Sequence, residues 1–129
     1  MKSLTTLIVL TFSVMFSSSS YAKWTEVSET EDGDTFYVDF ERIKKHDGYF
    51  YYWILRDYLV PGEYSRDLSS KVYHQGDCKL FRYKDLSFSY HQEPMGGGTG
   101  EVDNKPDKKW NYPPPNTSIE TVLKQVCNR

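Results

Sequence analysis

The chain has 129 residues, two cysteines, and 16 Lys and Arg against 18 Asp and Glu, a net charge of −2. That is room for one domain with a real but thin core. The acidic balance excludes a protein that lays a basic groove along nucleic-acid phosphates, and no repeat, linker or second domain interrupts the chain.

Residues 1–22 read as a secretory signal. Lys2 is a minimal positive end, Leu4 to Phe16 is an apolar run, and Ser20-Tyr21-Ala22 places small residues at the cleavage positions. The alternative, a membrane anchor, requires about 20 apolar residues, and this run falls well short. Cleavage between Ala22 and Lys23 leaves a single domain over residues 23–129, with 15 basic residues against 18 acidic once Lys2 is gone. No cysteine lies near the cleavage point, so no lipid anchor is expected and the mature chain should sit in an oxidising space: the periplasm, the cell surface or the medium. There, the two cysteines of a small domain are most economically one disulfide, Cys78 to Cys127. The alternative is a pair of buried free thiols.

The next segments favour strands. Phe36, Val38 and Phe40 alternate with Thr35, Tyr37 and Asp39, the period of a half-buried strand. Glu29 to Asp34 crowds carboxylates around Gly33 without the ordered spacing of a calcium loop, and reads as a hairpin turn. Asp47-Gly48 suits a hairpin turn that needs φ > 0. Residues 49–60, YFYYWILRDYLV, are apolar on both parities, a pattern usual for a central strand covered on both sides. Pro61-Gly62 ends it.

In the following strand Leu68, Ser70, Val72, His74, Gly76 and Cys78 share one parity, which turns Cys78 toward the core unless Gly76 marks a bulge. A strand from Leu80 to Tyr90 slips parity near Asp85. Residues 95–109 are rich in Gly and charge and read as a mobile loop, with Trp110 to Tyr112 a short edge strand. The three prolines 113–115 then force a sharp helix start. Thr117 and Glu120 have capping-box spacing, and Ile119, Val122, Leu123, Val126 and Cys127 form one apolar stripe. A helix this short must dock to persist. The fold class is therefore α+β: an antiparallel sheet of about five or six strands with one C-terminal helix packed on it and disulfide-linked.

Chemistry is sparse. His46, His74 and His91 lie on separate segments without metal-ligand spacing. The glycines at 96–100 lack the Lys-Ser/Thr of a phosphate loop, and no nucleophile elbow occurs. Neither a cofactor nor catalysis is expected. Lys79, Arg82 and Lys84 make a small basic patch, read as an ordinary exposed strand face. The aromatics stand out, with 11 Tyr, 7 Phe and 3 Trp. Tyrosine excess suits a protein interface, although sheets also use aromatics as core and cross-strand pairs. An exposed sheet edge or tyrosine-bearing face, with the 95–109 loop, is the expected recognition surface.

Taken in order, Trp24, YVDFERI (37–43), WILRDY (53–58), SSKVYHQGDC (69–78), PMGGG (94–98) and WNYPPPNTSIETVLKQVC (110–127) resemble the surface-adhesin protein E family of secreted bacterial proteins. The resemblance implies an antiparallel sheet with a disulfide-linked C-terminal helix, Gram-negative export, and a non-enzymatic protein-binding role toward host matrix or serum proteins. The best-known member is held on the outer membrane by an acylated cysteine, for which this chain has no counterpart. Only Cys78 and Cys127 carry over as site residues. The other reading is a soluble periplasmic accessory protein with an envelope partner.

Overall fold

The structure, a computed structural model, describes residues 22–63 and 65–129; residues 1–21 of the expected signal lie outside the described residues. Seven strands form one antiparallel sheet: β1 (Thr25–Glu29), β2 (Thr35–Val38), β3 (Lys44–His46), β4 (Tyr49–Asp57), β5 (Ser69–Asp77), β6 (Arg82–His91) and β7 (Glu101–Asp103). The order across the sheet is β1-β2-β4-β5-β6-β7. β2 and β3 share one side of β4, pairing with residues 54–57 and 49–51 respectively. Helix α1 (Ser118–Cys127) follows the prolines. None of the described helices is long and apolar enough to cross a membrane.

Local chemistry places most boundaries. Asp47 and Gly48 both have positive φ, 51° and 82°, the mirror-image turn whose twist matches its strands. Between β2 and β3, Asp39 caps a turn of 3-10 helix by accepting from the Glu41 amide. Thr117 caps α1 by accepting from the Glu120 amide at 3.2 Å. The Glu120 carboxylate returns to the Asn116 amide at 3.3 Å, one residue earlier than an ideal capping box.

The core lies between α1 and one face of the sheet. Val122, Leu123 and Val126 are fully buried against Phe36, Val38, Tyr52 and Ile54, and each such side chain contributes about 1.5–3 kcal/mol. Gly76 permits the contact. A Cβ there would stand 3.0 Å from Tyr52 Cε1 and 3.1 Å from Leu123 Cδ1, so this glycine marks close approach of the helix. The bulge lies opposite, on β6, where Leu86 is left over as Tyr73 pairs with Ser87 and His74 with Asp85. Cys78 thus keeps the parity of Val72 and joins Cys127, with Cα atoms 5.6 Å apart.

Three expectations change. β4 is central, but α1 covers only its even-numbered side; among the described residues the odd side is covered at Leu55 by the Pro94–Gly96 turn and by no full second layer. The 95–109 segment is less free than a loop. It contributes β7, and Asp107 fastens to the Asp85 backbone by two bonds of 2.8 Å. Near Trp110 a single bridge, Tyr83 to Asn111, replaces an edge strand. β1 carries no clean alternation because its register with β2 shifts between Glu26 and Ser28.

Candidate binding face

Strand register decides which side chains share the uncovered face. Tyr51, Trp53 and Leu55 on β4 pair with Gln75, Tyr73 and Lys71 on β5, and Gln75, Tyr73 and Lys71 pair with Lys84, Ser87 and Ser89 on β6. Tyr37 joins them from β2 opposite Leu55. All have the parity opposite to the helix-packed Tyr52, Ile54 and Gly76. Trp53 stacks on Tyr73 at 4.8 Å, and Tyr51 lies 6.2 Å from the same ring. Farther along, Trp110 meets Tyr49 at 5.4 Å, while Arg82 and Lys84 stand over the Trp110 ring at 4.4 and 4.7 Å. At the other end Lys71 Nζ lies 6.0 Å above Trp24. These aromatic rings are half-buried.

Electrostatics on this face are uneven. Burial alone would raise the Asp77 carboxyl. Arg82 Nε at 2.8 Å and the Leu80 and Lys79 amides outweigh it and hold the group below the usual aspartate range. Arg82 is thereby paired. Burial, then neighbouring Arg42, push the Lys71 ammonium below the usual lysine range. Burial, then Tyr51, push the Tyr73 phenol up.

One corner of the face is closed. Leu55, fully buried, is roofed by the Pro94–Gly96 turn. That turn is tied down where the Met95 amide donates to Asp57 Oδ1 and the Gly96 amide to Ser69 Oγ, each at 2.8 Å.

The histidines remain apart. His46 is exposed beside Asp47. His91 is buried, with Nε2 2.8 Å from Ser89 Oγ. His74 is buried on the helix side, stacked on Tyr83 at 4.7 Å, with Nε2 2.7 Å from Asp85 Oδ1 at ion-pair distance but outside hydrogen-bond geometry. The Glu29–Asp34 segment is a hairpin turn whose Asp34 carboxylate accepts from Arg56 at 2.7 Å and from the Leu59 amide at 3.0 Å.

The disulfide is where the sequence placed it. In sequence Trp24 stands only as a mark of the family and Trp110 only as part of that pattern and of an edge strand, neither as a binding residue, and Arg82 and Lys84 stand apart from the aromatic ring they lie over. The signal was available as parity: once β4 and β5 are set antiparallel, Tyr51, Trp53, Lys71 and Tyr73 fall on one side.

Comparison with known proteins follows the fold. A family profile described as Surface-adhesin protein E matches residues 24–128. No curated protein matches the chain. Crystal form II of Haemophilus influenzae protein E superposes with a TM-score of 0.64 at 15% identity, covering 84% of this chain and 89% of that one. Protein E from non-typeable Haemophilus influenzae gives 0.56 at 16%, covering 80% and 75%. At such identities the solved structures show a shared fold, and the family profile shows more: this chain belongs to the surface-adhesin protein E family.

Proposed function

We propose that the chain is exported, cleaved between Ala22 and Lys23, and acts as a non-enzymatic protein-binding module whose recognition surface is the open face of the sheet. One observation carries the reading. A solvated sheet face normally alternates to polar residues, whereas this one presents Trp53, Tyr73, Tyr51, Tyr49 and Trp110 half-buried and uncovered by any described element. Partly exposed aromatic clusters of this kind suit interaction sites, and tyrosine and tryptophan supply large, stiff contact area at low entropic cost. Lys71, Lys84 and Lys44 share the face with Glu26, Asp57 and Asp77, of which Asp77 is held by Arg82 and Asp57 by the Met95 amide; the lysines beside the aromatics fit a protein partner that presents acidic residues.

Host matrix and serum proteins are the ligands to test first. The oxidised 23–129 chain is applied to an immobilised basement-membrane preparation and to whole serum, beside Tyr73→Ala and Trp110→Ala variants matched for circular dichroism. Binding should fall about tenfold or more in the variants, as for aromatic hot spots. Unchanged binding in both removes this face from recognition. Protease treatment of intact cells supplies the second arm: full protection until the outer membrane is opened would reject host proteins and leave envelope partners.

A further inference from the structure

The open face ends beside Trp24 in a recess of about 320 Å³, walled by Trp24 and Trp53 and lined by Ala22, Asp39, Arg42, Lys71 and Ser89; cleavage after Ala22 would widen it and leave the Lys23 ammonium beside Asp39. Most of its polar groups are already engaged. Asp39, 2% exposed, accepts from the Glu41 amide and the Lys23 amide at 3.2 Å each, and its Oδ2 lies 3.3 Å from Arg42 Nε. Ser89 Oγ faces His91.

Lys71 differs. Its stem passes over Gly96, where an added Cβ would collide with Lys71 Cε. Its ammonium hangs over Trp24. Among the described residues no carboxylate lies within ion-pair distance of it, and Arg42 repels it. Lys71 is half-buried, and a cation partly withdrawn from water gains from a charged partner. Among the described residues its compensation, besides water, is one ring face at 6.0 Å, a contact of modest strength.

We infer that this recess is the anchor pocket of the binding face, taking the carboxylate of an acidic side chain from the partner protein onto Lys71 while an adjoining apolar side chain packs against Trp24 and Trp53. The inference rests on the reading of the open face as a protein-binding surface, and names the group that surface grips. An incoming carboxylate relieves the repulsion between Lys71 and Arg42. The aromatic walls exclude water and strengthen the pair. The volume suits one side chain and part of a neighbour.

The test uses the oxidised 23–129 chain and two capped tetrapeptides, Phe-Glu-Glu-Phe and Phe-Gln-Gln-Phe, titrated by NMR with the lysine Nζ signals observed. The glutamate peptide should bind about tenfold or more tightly than the glutamine peptide, as expected for a charge-assisted pair, and Lys71 should titrate at higher pH when it is bound. Lys71→Met should erase the preference, Lys71→Arg should retain it, and Lys71→Met should not lower the Tm, because the charge removed was uncompensated. Equal binding of the two peptides, no binding of either, or displacement by heparin with transfer of the Lys71 response to the glycan would overturn the inference. Matrix binding separates it from the broader reading. If Tyr73→Ala weakens capture and Lys71→Met does not, the pocket falls and the face stands; if neither variant matters, both fall.

Discussion

Removal of the disulfide should cost more than any single contact in the fold. Cys78 and Cys127 are 49 residues apart in sequence. By the chain-entropy argument, a loop of that length restrains the unfolded chain by about 4 kcal/mol, a large share of the roughly 5–15 kcal/mol that holds a domain. Cys78→Ser with Cys127→Ser should therefore lower the urea midpoint by about 1.5–4 M at the usual slopes for small proteins. The loss should also be uneven. α1 keeps Val122, Leu123 and Val126 as its apolar grip, but ten residues of helix have little stability once undocked. Freed of its tether, the helix should open sub-globally. Urea titration gives the total, and amide exchange gives the distribution: the α1 amides should lose protection ahead of those in β4 and β5. A loss below about 1 kcal/mol, or even loss of protection across sheet and helix, would refute this reasoning.

Gly76→Ala should destabilise by about 1–3 kcal/mol through overpacking, since its Cβ would crowd Tyr52 and Leu123; a raised Tm would show that α1 yields freely. Asp77→Asn should lower stability at neutral pH. Because the folded carboxyl is depressed, its contribution is present above the ordinary aspartate pKa of about 3.9 and is lost as pH falls through the folded value. The gap between wild type and variant should accordingly close in acid, and a gap independent of pH would reject the ion pair as its source. With Lys23 as the first residue, its nitrogen, 3.2 Å from buried Asp39 Oδ2, would be an ammonium. N-terminal acetylation should then lower Tm near pH 6, and the effect should fade only as pH rises beyond the ordinary α-amino range of about 8, through the higher folded-state titration. Equal Tm values at pH 6 would show that the charge adds nothing to the contact.

Much of the helix side was legible because each signal there is local or periodic. The proline run, the Thr117 cap and the apolar stripe specify α1 without reference to the rest of the chain. Asp47-Gly48 specifies its turn in the same way. β1 and β7 were not legible for the opposite reason. Glu101 to Asp103 has three exposed residues and no apolar pattern; it is a strand because β6 offers it a partner at residues 88–90. Gly76 was ambiguous in sequence, since a bulge and a close approach both call for glycine, and only the position of Leu123 decides between them. Residues 95–109 looked loose by composition, yet one aspartate, Asp107, pins them through the Asp85 backbone and through Asn111 Nδ2 at 2.7 Å.

The two apolar parities of β4 have a different lesson. Covering both faces would require a second layer, and among the described residues a single α-helix of ten residues supplies only one. The hydrophobic demand of Phe50, Tyr52 and Ile54 is met by α1. That of Leu55 is met by the Pro94–Gly96 turn, held by Ser69 and Asp57. Tyr51 and Trp53 are left with Tyr73 and partial exposure. Their rings are amphipathic enough to tolerate water. On the proposed reading, stability and recognition are divided between the two sides of one sheet. Helix, disulfide and Gly76 hold the fold from one side, so substitutions among the open aromatics should change binding far more than Tm, whereas substitutions under α1 should do the reverse.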